Sequence, residues 1–191
     1  MKVRLNSALT GLKGKVGDDG YVFRMYRKKQ IAQKRPVFTK PWGDGTLKTR
    51  GSFKAGDQWW KDVIKPDPVL SAHYKERGKQ RLLNYRQMAI GDFMNPPTLH
   101  GVRFADYTPA GGGPLLIDAR DDFEVVRVHV VLRDPDGVTL SEGDATLRGM
   151  WLYPAPAVSP GGKPAARIEI TAYDRPGNVA TMTYPVPDTA G

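Results

Sequence analysis

Four aspartates are the side chains whose type and position could bind a metal ion: Asp118, Asp121, Asp122 and Asp174. Aspartates between the strands of some adhesive sandwich domains bind calcium through their carboxylate oxygens. Turn chemistry and charge pairing with Arg120 and Arg175 explain the same residues without a metal. We therefore expect no bound metal, and these four aspartates are the candidates should calcium bind.

Histidine chemistry and phosphate binding have no support in the sequence. His73, His100 and His129 lie far apart, and no zinc-type spacing or pairing of a base with a nucleophile accompanies them. No phosphate-binding loop of the GxxxxGK[ST] type occurs, and the glycines at 111–113 lack the strand and helix that would flank one. We expect no catalytic residue, no cofactor and no enzymatic activity.

A basic cluster near the N-terminus is the strongest ligand-like feature. Its cations are Arg24, Arg27, Lys28, Lys29, Lys34 and Arg35, and its interleaved aromatics are Tyr21, Phe23 and Tyr26. Cations that pair with phosphates beside rings that stack on bases would suit nucleic acid or another polyanion. We favour a charged hairpin whose cations meet acidic residues of a neighbouring subunit, because the aromatics alternate as strand packing requires.

The adjacent tryptophans Trp59 and Trp60 are candidates for an interface. Neighbouring residues on a helix are separated by about 100°, so both rings cannot face inward together. We expect one ring to be exposed or covered by a partner, since aromatic residues are enriched at subunit interfaces. A contact within the chain is the open alternative.

Charge divides the 191-residue chain. The first 100 residues hold 21 of the 29 Lys and Arg but only 8 of the 20 Asp and Glu, whereas the rest of the chain is net acidic. The basic half therefore meets something anionic, or the halves of neighbouring copies attract one another.

The composition also bears on stability and location. No cysteine is present, so packing must supply the stability, and the redox compartment cannot be deduced. No signal peptide or membrane span is predicted, and we expect cytoplasmic synthesis. Incorporation into a virion or an extracellular particle is an open alternative.

The N-terminal region is predicted to be α+β, with one β-hairpin and two helices. The hairpin covers residues 21–37, with its turn at 27–30. One helix is expected from Thr46 to about Ile64, and a second from Asp67 to Phe93 with a kink at Gly78, because Asp followed by Pro is a good helix start. The glycine-rich arm at residues 1–20 is expected to become ordered along a neighbouring subunit or a sheet edge.

The C-terminal region is predicted to be all-β. Six strands are expected, at 115–119, 123–133, 138–140, 145–153, 166–173 and 179–186. Asp134 to Gly137 and Asp174 to Asn178 have the chemistry of hairpin turns. The predicted domains are a basic assembly or anchoring region at 1–100, a connector at 101–113 and a β-sandwich at 114–191.

The segments AIGDFMNPP, ARDDFEVVRVHVVLRDPDG, EGDA, GMWLYPA and AYDRPGN follow one another from Ala89 to Asn178. This series resembles uncharacterised bacterial proteins that join a basic helical N-terminal region to an immunoglobulin-like domain. The N-terminal half is similar to small proteins encoded near phage-like structural genes. The resemblance implies an immunoglobulin-like sandwich and a role in assemblies. The cysteine pair and core tryptophan of antibody domains are absent as a set, although Trp151 could serve as a core aromatic.

The sequence thus predicts a non-enzymatic structural protein, a subunit of a larger particle or filament that assembles with itself or with another structural protein. Nucleic-acid binding by the basic half is the principal alternative. Binding of carbohydrate or a cell surface by the sandwich is the second, with Trp151, Tyr153 and Tyr173 as its aromatic candidates. Fold analogy alone does not decide between them.

Overall fold

A computed structural model of the chain describes residues 14–15, 21–26, 29–34, 41–104, 106–109, 111–157 and 162–187. Contacts divide the chain into two compact units, Met1–Thr46 and Leu47–Gly191. The division does not fall at residue 100, where the sequence places a boundary. Helices and sheets after residue 46 therefore belong to one unit.

The first unit contains a three-stranded antiparallel sheet in the order β1-β2-β3. Its strands are β1 (Gly14–Lys15), β2 (Tyr21–Tyr26) and β3 (Lys29–Lys34). The β2–β3 register runs from Tyr21 opposite Lys34 to Tyr26 opposite Lys29. The predicted hairpin is confirmed, but Lys29 and Gln30, predicted to belong to its turn, pair with Tyr26 and Met25 as the first residues of β3. Residues 35–37 of the predicted returning strand lie outside the described residues.

Three α-helices precede the sheets of the second unit. They are α1 (Asp44–Trp59), which continues into a π-helical turn (Trp60–Ile64), α2 (Pro68–Gln80) and α3 (Tyr85–Met94). The predicted start of α2 is confirmed, since an Asp67 carboxylate oxygen accepts the amides of Val69 and Leu70, both at 2.9 Å. Pro68 occupies the first turn, where no amide donor is needed.

The single helix predicted from Asp67 to Phe93 is instead two helices, α2 and α3. At the break the amide of Leu83 donates to the carbonyl of Gly78 at 2.8 Å. A Cβ at Gly78 would lie 2.7 Å from the Leu83 carbonyl oxygen, so this close approach requires glycine. Asn84 then starts α3 with a reciprocal capping box to Gln87.

Eight strands follow and form two four-stranded antiparallel sheets. They are β4 (Thr98–Arg103), β5 (Gly113–Arg120), β6 (Val125–Arg133), β7 (Thr139–Asp144), β8 (Thr146–Arg148), β9 (Met150–Ala155), β10 (Arg167–Asp174) and β11 (Val179–Pro185). The strand orders are β11-β10-β6-β7 and β4-β5-β9-β8. The region is therefore antiparallel β, as its alternating sequence predicts.

Side chains from both sheets share one hydrophobic core. In the first sheet Val130 pairs with Ile170, and both are fully buried. In the second, Ile117 pairs with Trp151, and both are in the same buried cluster. Every second side chain along β10 is buried, and Ile168, Ile170 and Ala172 lie in this core, as expected for a strand with one buried face.

Two strands differ from their predictions. Residues 98–103, where no strand is predicted, form β4, because Leu99 and Val102 pair with Ala119 and Ile117 of β5. The single strand predicted at 145–153 is split into β8 and β9 at Gly149, whose φ of +74° permits a reversal that other residues rarely adopt.

The two predicted turns have the expected chemistry. At the β10–β11 turn a carboxylate oxygen of Asp174 accepts the amides of Gly177 (2.9 Å) and Asn178 (2.6 Å), and Gly177 has a φ of +96°. At the β6–β7 turn Asp134 accepts the amide of Val138 at 2.8 Å. No helix in the described part of the chain is long and apolar enough to cross a membrane.

Candidate metal centre between the helices and the sheets

The β5–β6 loop, residues 121–124, joins the sheets to the helices. Arg81 at the end of α2 pairs with the Asp122 carboxylate at 2.9 Å, and Asn95 donates to the same side chain at 2.6 Å. Glu124 pairs with Arg175 of the β10–β11 turn at 2.7 Å. The loop is thus held on both sides.

A second hydrophobic core lies under this loop. Phe123 belongs to the helical cluster, which also contains Ile64, Tyr74, Met88 and Ala89. Its ring stacks on Tyr74 with centroids 3.8 Å apart and planes 7° apart. Phe123 is therefore the loop side chain that fills the core of the helices.

Three carboxylates converge beside this aromatic stack, and we call them the carboxylate cluster: Asp92 of α3, Asp121 of the loop and Asp174 at the end of β10. One oxygen of each lies within 4.8 Å of the others. Asp92 is fully buried, Asp174 is 3% exposed and Asp121 is half-buried. The cluster thus brings together a helix, a loop and a hairpin turn.

The cluster is only partly satisfied by hydrogen bonds. The Tyr74 hydroxyl donates to Asp92 Oδ2, and the amides of Phe123 and Glu124 both donate to Asp121 Oδ2 at 3.1 Å. Asp92 Oδ1 and Asp121 Oδ1 are buried and accept no hydrogen bond. Buried polar atoms ordinarily have a partner, so these two oxygens need an explanation.

Asn178 ties the β10–β11 turn to the end of α3. Its side-chain amide donates to the backbone carbonyls of Asp92 (3.3 Å) and Phe93 (3.1 Å) and to the Asp174 carboxylate (2.7 Å). The turn therefore places Asp174 against the helix that carries Asp92.

The carboxylate cluster has an unusual electrostatic environment. Burial raises the pKa of Asp92 to about 8, although the Tyr74 hydrogen bond opposes the rise. A hydrogen bond between the Asp92 and Asp121 carboxyl groups and the charges of Asp121 and Asp174 raise this pKa further. Burial also raises the pKa of Asp174 above its ordinary value. Such a group of carboxylates can share a proton or bind a cation, because like charges this close disfavour full ionisation.

Comparison with protein-family models, with curated proteins and with solved structures finds no match to this chain. The chemistry of the site therefore has to be deduced from its own residues.

The four calcium candidates separate in the structure. Asp121 and Asp174 enter the carboxylate cluster, whereas Asp122 pairs with Arg81. Asp118 pairs with Arg120 at 2.8 Å, and the Arg120 hydrogen bond lowers the pKa of Asp118. Charge pairing thus accounts for Asp118, with the predicted Arg120, and for Asp122, although Arg175 pairs with Glu124 and not with an aspartate. Turn chemistry, the other part of that explanation, accounts for Asp174, which accepts the amides of Gly177 and Asn178.

Sequence reasoning missed Asp92, the most buried carboxylate of the cluster. The signal that could have found it is its position in helix α3: it is the only charged residue in the run MAIGDFMNPP, residues 88–97. A single carboxylate in an otherwise uncharged and mainly apolar run indicates burial, and buried charges need partners.

The basic cluster lies in the first unit. Lys34 is exposed at the end of β3, Arg24 and Lys29 belong to β2 and β3, and Arg27, Lys28 and Arg35 lie outside the described residues. Of the arm at residues 1–20, the described part is β1, which pairs with β2. The expected contacts of both features with a neighbour stay predictions.

Both tryptophans contact aromatic rings of their own chain. Trp59 lies 6.1 Å from Tyr74 and 5.8 Å from Phe93 between ring centroids, and Trp60 lies 5.6 Å from Tyr85. The helix changes from α to π between the two tryptophans. Both are half-buried, and an additional contact with a partner stays a prediction.

The remaining candidates have structural environments. His129 Nδ1 lies 2.8 Å from Asp144 on the neighbouring strand, and the His73 ring packs edge-on against Phe123. Trp151 and Tyr153, two of the three aromatics considered for carbohydrate binding, are buried in the sheet core. Tyr173 carries Arg127 over its ring at 4.0 Å.

Replacing Tyr74 by phenylalanine is expected to destabilise the protein by about 1–3 kcal/mol. The change keeps the ring stack on Phe123 but removes the donor to Asp92 Oδ2, leaving a second oxygen of a buried carboxylate without a partner. Denaturant unfolding measures the effect. Tyr85→Phe is the matched control, and equal stability of the two variants would contradict the role assigned to the Tyr74 hydroxyl.

Proposed function

We propose that the protein is a non-enzymatic structural subunit that assembles with further copies of itself. The observation that carries the proposal is Leu82, at the corner between α2 and α3. This side chain is 94% exposed, and its backbone has a φ of +57°, in the left-handed region. The exposed side chain makes too little contact within the chain to offset the backbone strain. Such an apolar residue is typical of a surface that a partner covers.

The strain at Leu82 has a definite cost. Left-handed backbone costs an L-residue about 1–2 kcal/mol, and glycine or asparagine ordinarily occupies such a position. The corner also presents Leu83, which is 39% exposed. Because burial of a leucine is worth about 1.5–3 kcal/mol, a docked partner would offset the strain.

A second copy is the occupant that the charge distribution favours. The basic first 100 residues and the acidic remainder of the same chain attract each other between copies. Salt should weaken this attraction, because exposed charges are screened beyond about 8–10 Å at physiological ionic strength.

We also propose that the two-sheet region is immunoglobulin-like. Its support is the strand order: β4-β5-β9-β8 corresponds to the A-B-E-D sheet of that fold, and β11-β10-β6-β7 corresponds to G-F-C-C′. The core tryptophan of antibody domains lies on strand C, whereas Trp151 lies on β9, the counterpart of strand E. Such modules commonly build assemblies or bind, which agrees with a structural role.

Leu82→Asn is expected to weaken self-association tenfold or more without destabilising the fold. Asparagine tolerates left-handed backbone, so the melting temperature should be unchanged or slightly higher. The loss of a leucine contact of about 1.5–3 kcal/mol corresponds to roughly tenfold to a hundredfold in affinity. Sedimentation velocity over a range of protein and salt concentrations measures the association.

Leu147→Asn is the matched control, since Leu147 on β8 is also an exposed leucine, at 59%. It should associate as the unaltered protein does. A full chain that stays monomeric at every concentration and salt, or that turns over a small substrate, would overturn the proposed function. Unchanged association of Leu82→Asn would overturn only the role of the corner.

A further inference from the structure

We propose that the carboxylate cluster of Asp92, Asp121 and Asp174 is a calcium site that fastens the helices of the second unit to its sheets. The proposal is independent of self-assembly. It rests on the convergence of three carboxylates from α3, the β5–β6 loop and the end of β10, with one oxygen of each within 4.8 Å of the others.

The first argument is the charge that the cluster leaves uncompensated. Among the described residues, none of the three carboxylates has a Lys or Arg within ion-pair distance; the nearest loop charges pair with each other, as Glu124 does with Arg175. Buried carboxylates ordinarily have a cationic partner or a metal. A divalent cation would supply the missing positive charge and would displace the proton that the buried Asp92 otherwise holds.

The second argument is the pair of unpartnered oxygens. Asp92 is fully buried, and its Oδ1 accepts no hydrogen bond, while Asp121 Oδ1 is likewise buried and without a donor. Their other oxygens accept hydrogen bonds from Tyr74 and from two loop amides, which fixes both side chains in place. Asp92 and Asp121 thus each have one held oxygen and one oxygen without a donor, which is an arrangement suited to a ligand. Both oxygens of Asp174 already accept hydrogen bonds from the β10–β11 turn, so Asp174 would bind through a remaining lone pair.

The identity of the cation follows from the donors and from the elements that carry them. Oxygen-only donors favour calcium, magnesium or manganese over zinc and copper. Magnesium demands near-ideal octahedral geometry, whereas calcium accepts the irregular geometry of a site built from a helix, a loop and a turn.

Access to the site runs along Asp121. This residue is half-buried and lines a surface pocket of about 300 Å³ together with Phe123 and Glu124. Water can complete the coordination from this side, as it does in many calcium sites. A bound ion would therefore contact solvent through the loop rather than through the helix or the turn.

The test is calcium-dependent thermal stability of the full chain after dialysis against a chelator. Calcium at about 100 times its dissociation constant should raise the melting temperature by roughly 5–10 °C, and magnesium should do so at least tenfold more weakly. Asp92→Asn should abolish the shift, and so should Asp121→Asn, which keeps an oxygen for the Phe123 and Glu124 amides. Asp118→Asn, which removes a carboxylate outside the cluster, should retain it.

Terbium emission provides a second readout that does not depend on stability. Tyr74 contacts the cluster through Asp92, and Trp59 lies beside Tyr74. Ultraviolet excitation of these rings should therefore sensitise a bound terbium ion, and calcium should displace the terbium. If calcium causes no shift in melting temperature and no terbium emission is displaced, the proposal is overturned in favour of a proton shared between Asp92 and Asp121. Equal shifts with magnesium, or unaltered calcium binding by Asp92→Asn, would overturn it as well.

Discussion

Asp92→Asn is expected to raise the free energy of unfolding of the calcium-free protein by about 5 kcal/mol at pH 8. Burial raises the pKa of Asp92 to about 8 from its ordinary 3.8, so the folded state binds a proton that the unfolded state releases. Each pKa unit of difference between the folded and unfolded states corresponds to 1.36 kcal/mol of folding free energy. The unaltered protein therefore loses stability progressively as the pH rises from about 4 to 8. Asparagine has nearly the same shape and no charge, so it escapes this loss.

The measurement is denaturant unfolding of both proteins in chelator between pH 5 and pH 8. The difference in stability should widen as the pH rises, because only the unaltered protein has the raised carboxyl pKa. Asp118→Asn serves as the control, since Asp118 is paired with Arg120 near the surface and should show no such widening. Parallel stability curves for Asp92→Asn and the unaltered protein would show that Asp92 is ionised at no cost.

Phe123→Ala is expected to destabilise the protein by about 3–5 kcal/mol. The phenylalanine is 6% exposed, stacks on Tyr74 and contacts His73, so its removal leaves a cavity where the loop enters the helical core. The loss should fall mainly on the attachment of the helices, since Phe123 is absent from the core shared by the two sheets. Hydrogen exchange should therefore show faster opening in α2 and α3 than in β6 and β10.

Val126→Ala is the control for this substitution, because Val126 lies three residues further along and is 42% exposed. Its effect should stay within about 0.5 kcal/mol, as for other exposed positions. Equal destabilisation of helices and sheets in Phe123→Ala would mean that the two parts unfold as one cooperative unit.

Arg81 links the corner at Leu82 to the β5–β6 loop that carries Asp121. Arg81 precedes Leu82 in sequence, and its side chain bonds both the carboxylate of Asp122 (2.9 Å) and its backbone carbonyl (3.1 Å). A cation held by the neighbouring Asp121 would fix the same loop and, through Arg81, the corner that displays Leu82.

Local sequence chemistry determined much of the fold. The alternation of β10, the Asp174 to Asn178 turn, the Asp67–Pro68 helix start and the N-terminal hairpin each depend on residues close in the chain, and each was predicted. Such features follow from backbone preferences and from short-range hydrogen bonds. The absence of catalytic motifs and the calcium candidacy of Asp121 and Asp174 were also available from the sequence.

Tertiary structure alone decided how the helices of the second unit are attached to its sheets. Strand β4 forms because Leu99 and Val102 pair with residues of β5. The break between α2 and α3 forms where the backbone of Leu83 approaches Gly78. Asp92 lies 29 residues before Asp121 and 82 residues before Asp174 in the sequence. No spacing pattern in the sequence therefore predicts that the three carboxylates lie close together. Burial of Asp92 and Asp174 beside the half-buried Asp121 depends on how the sheets pack against the helices, and that arrangement turns three ordinary aspartates into a candidate metal centre.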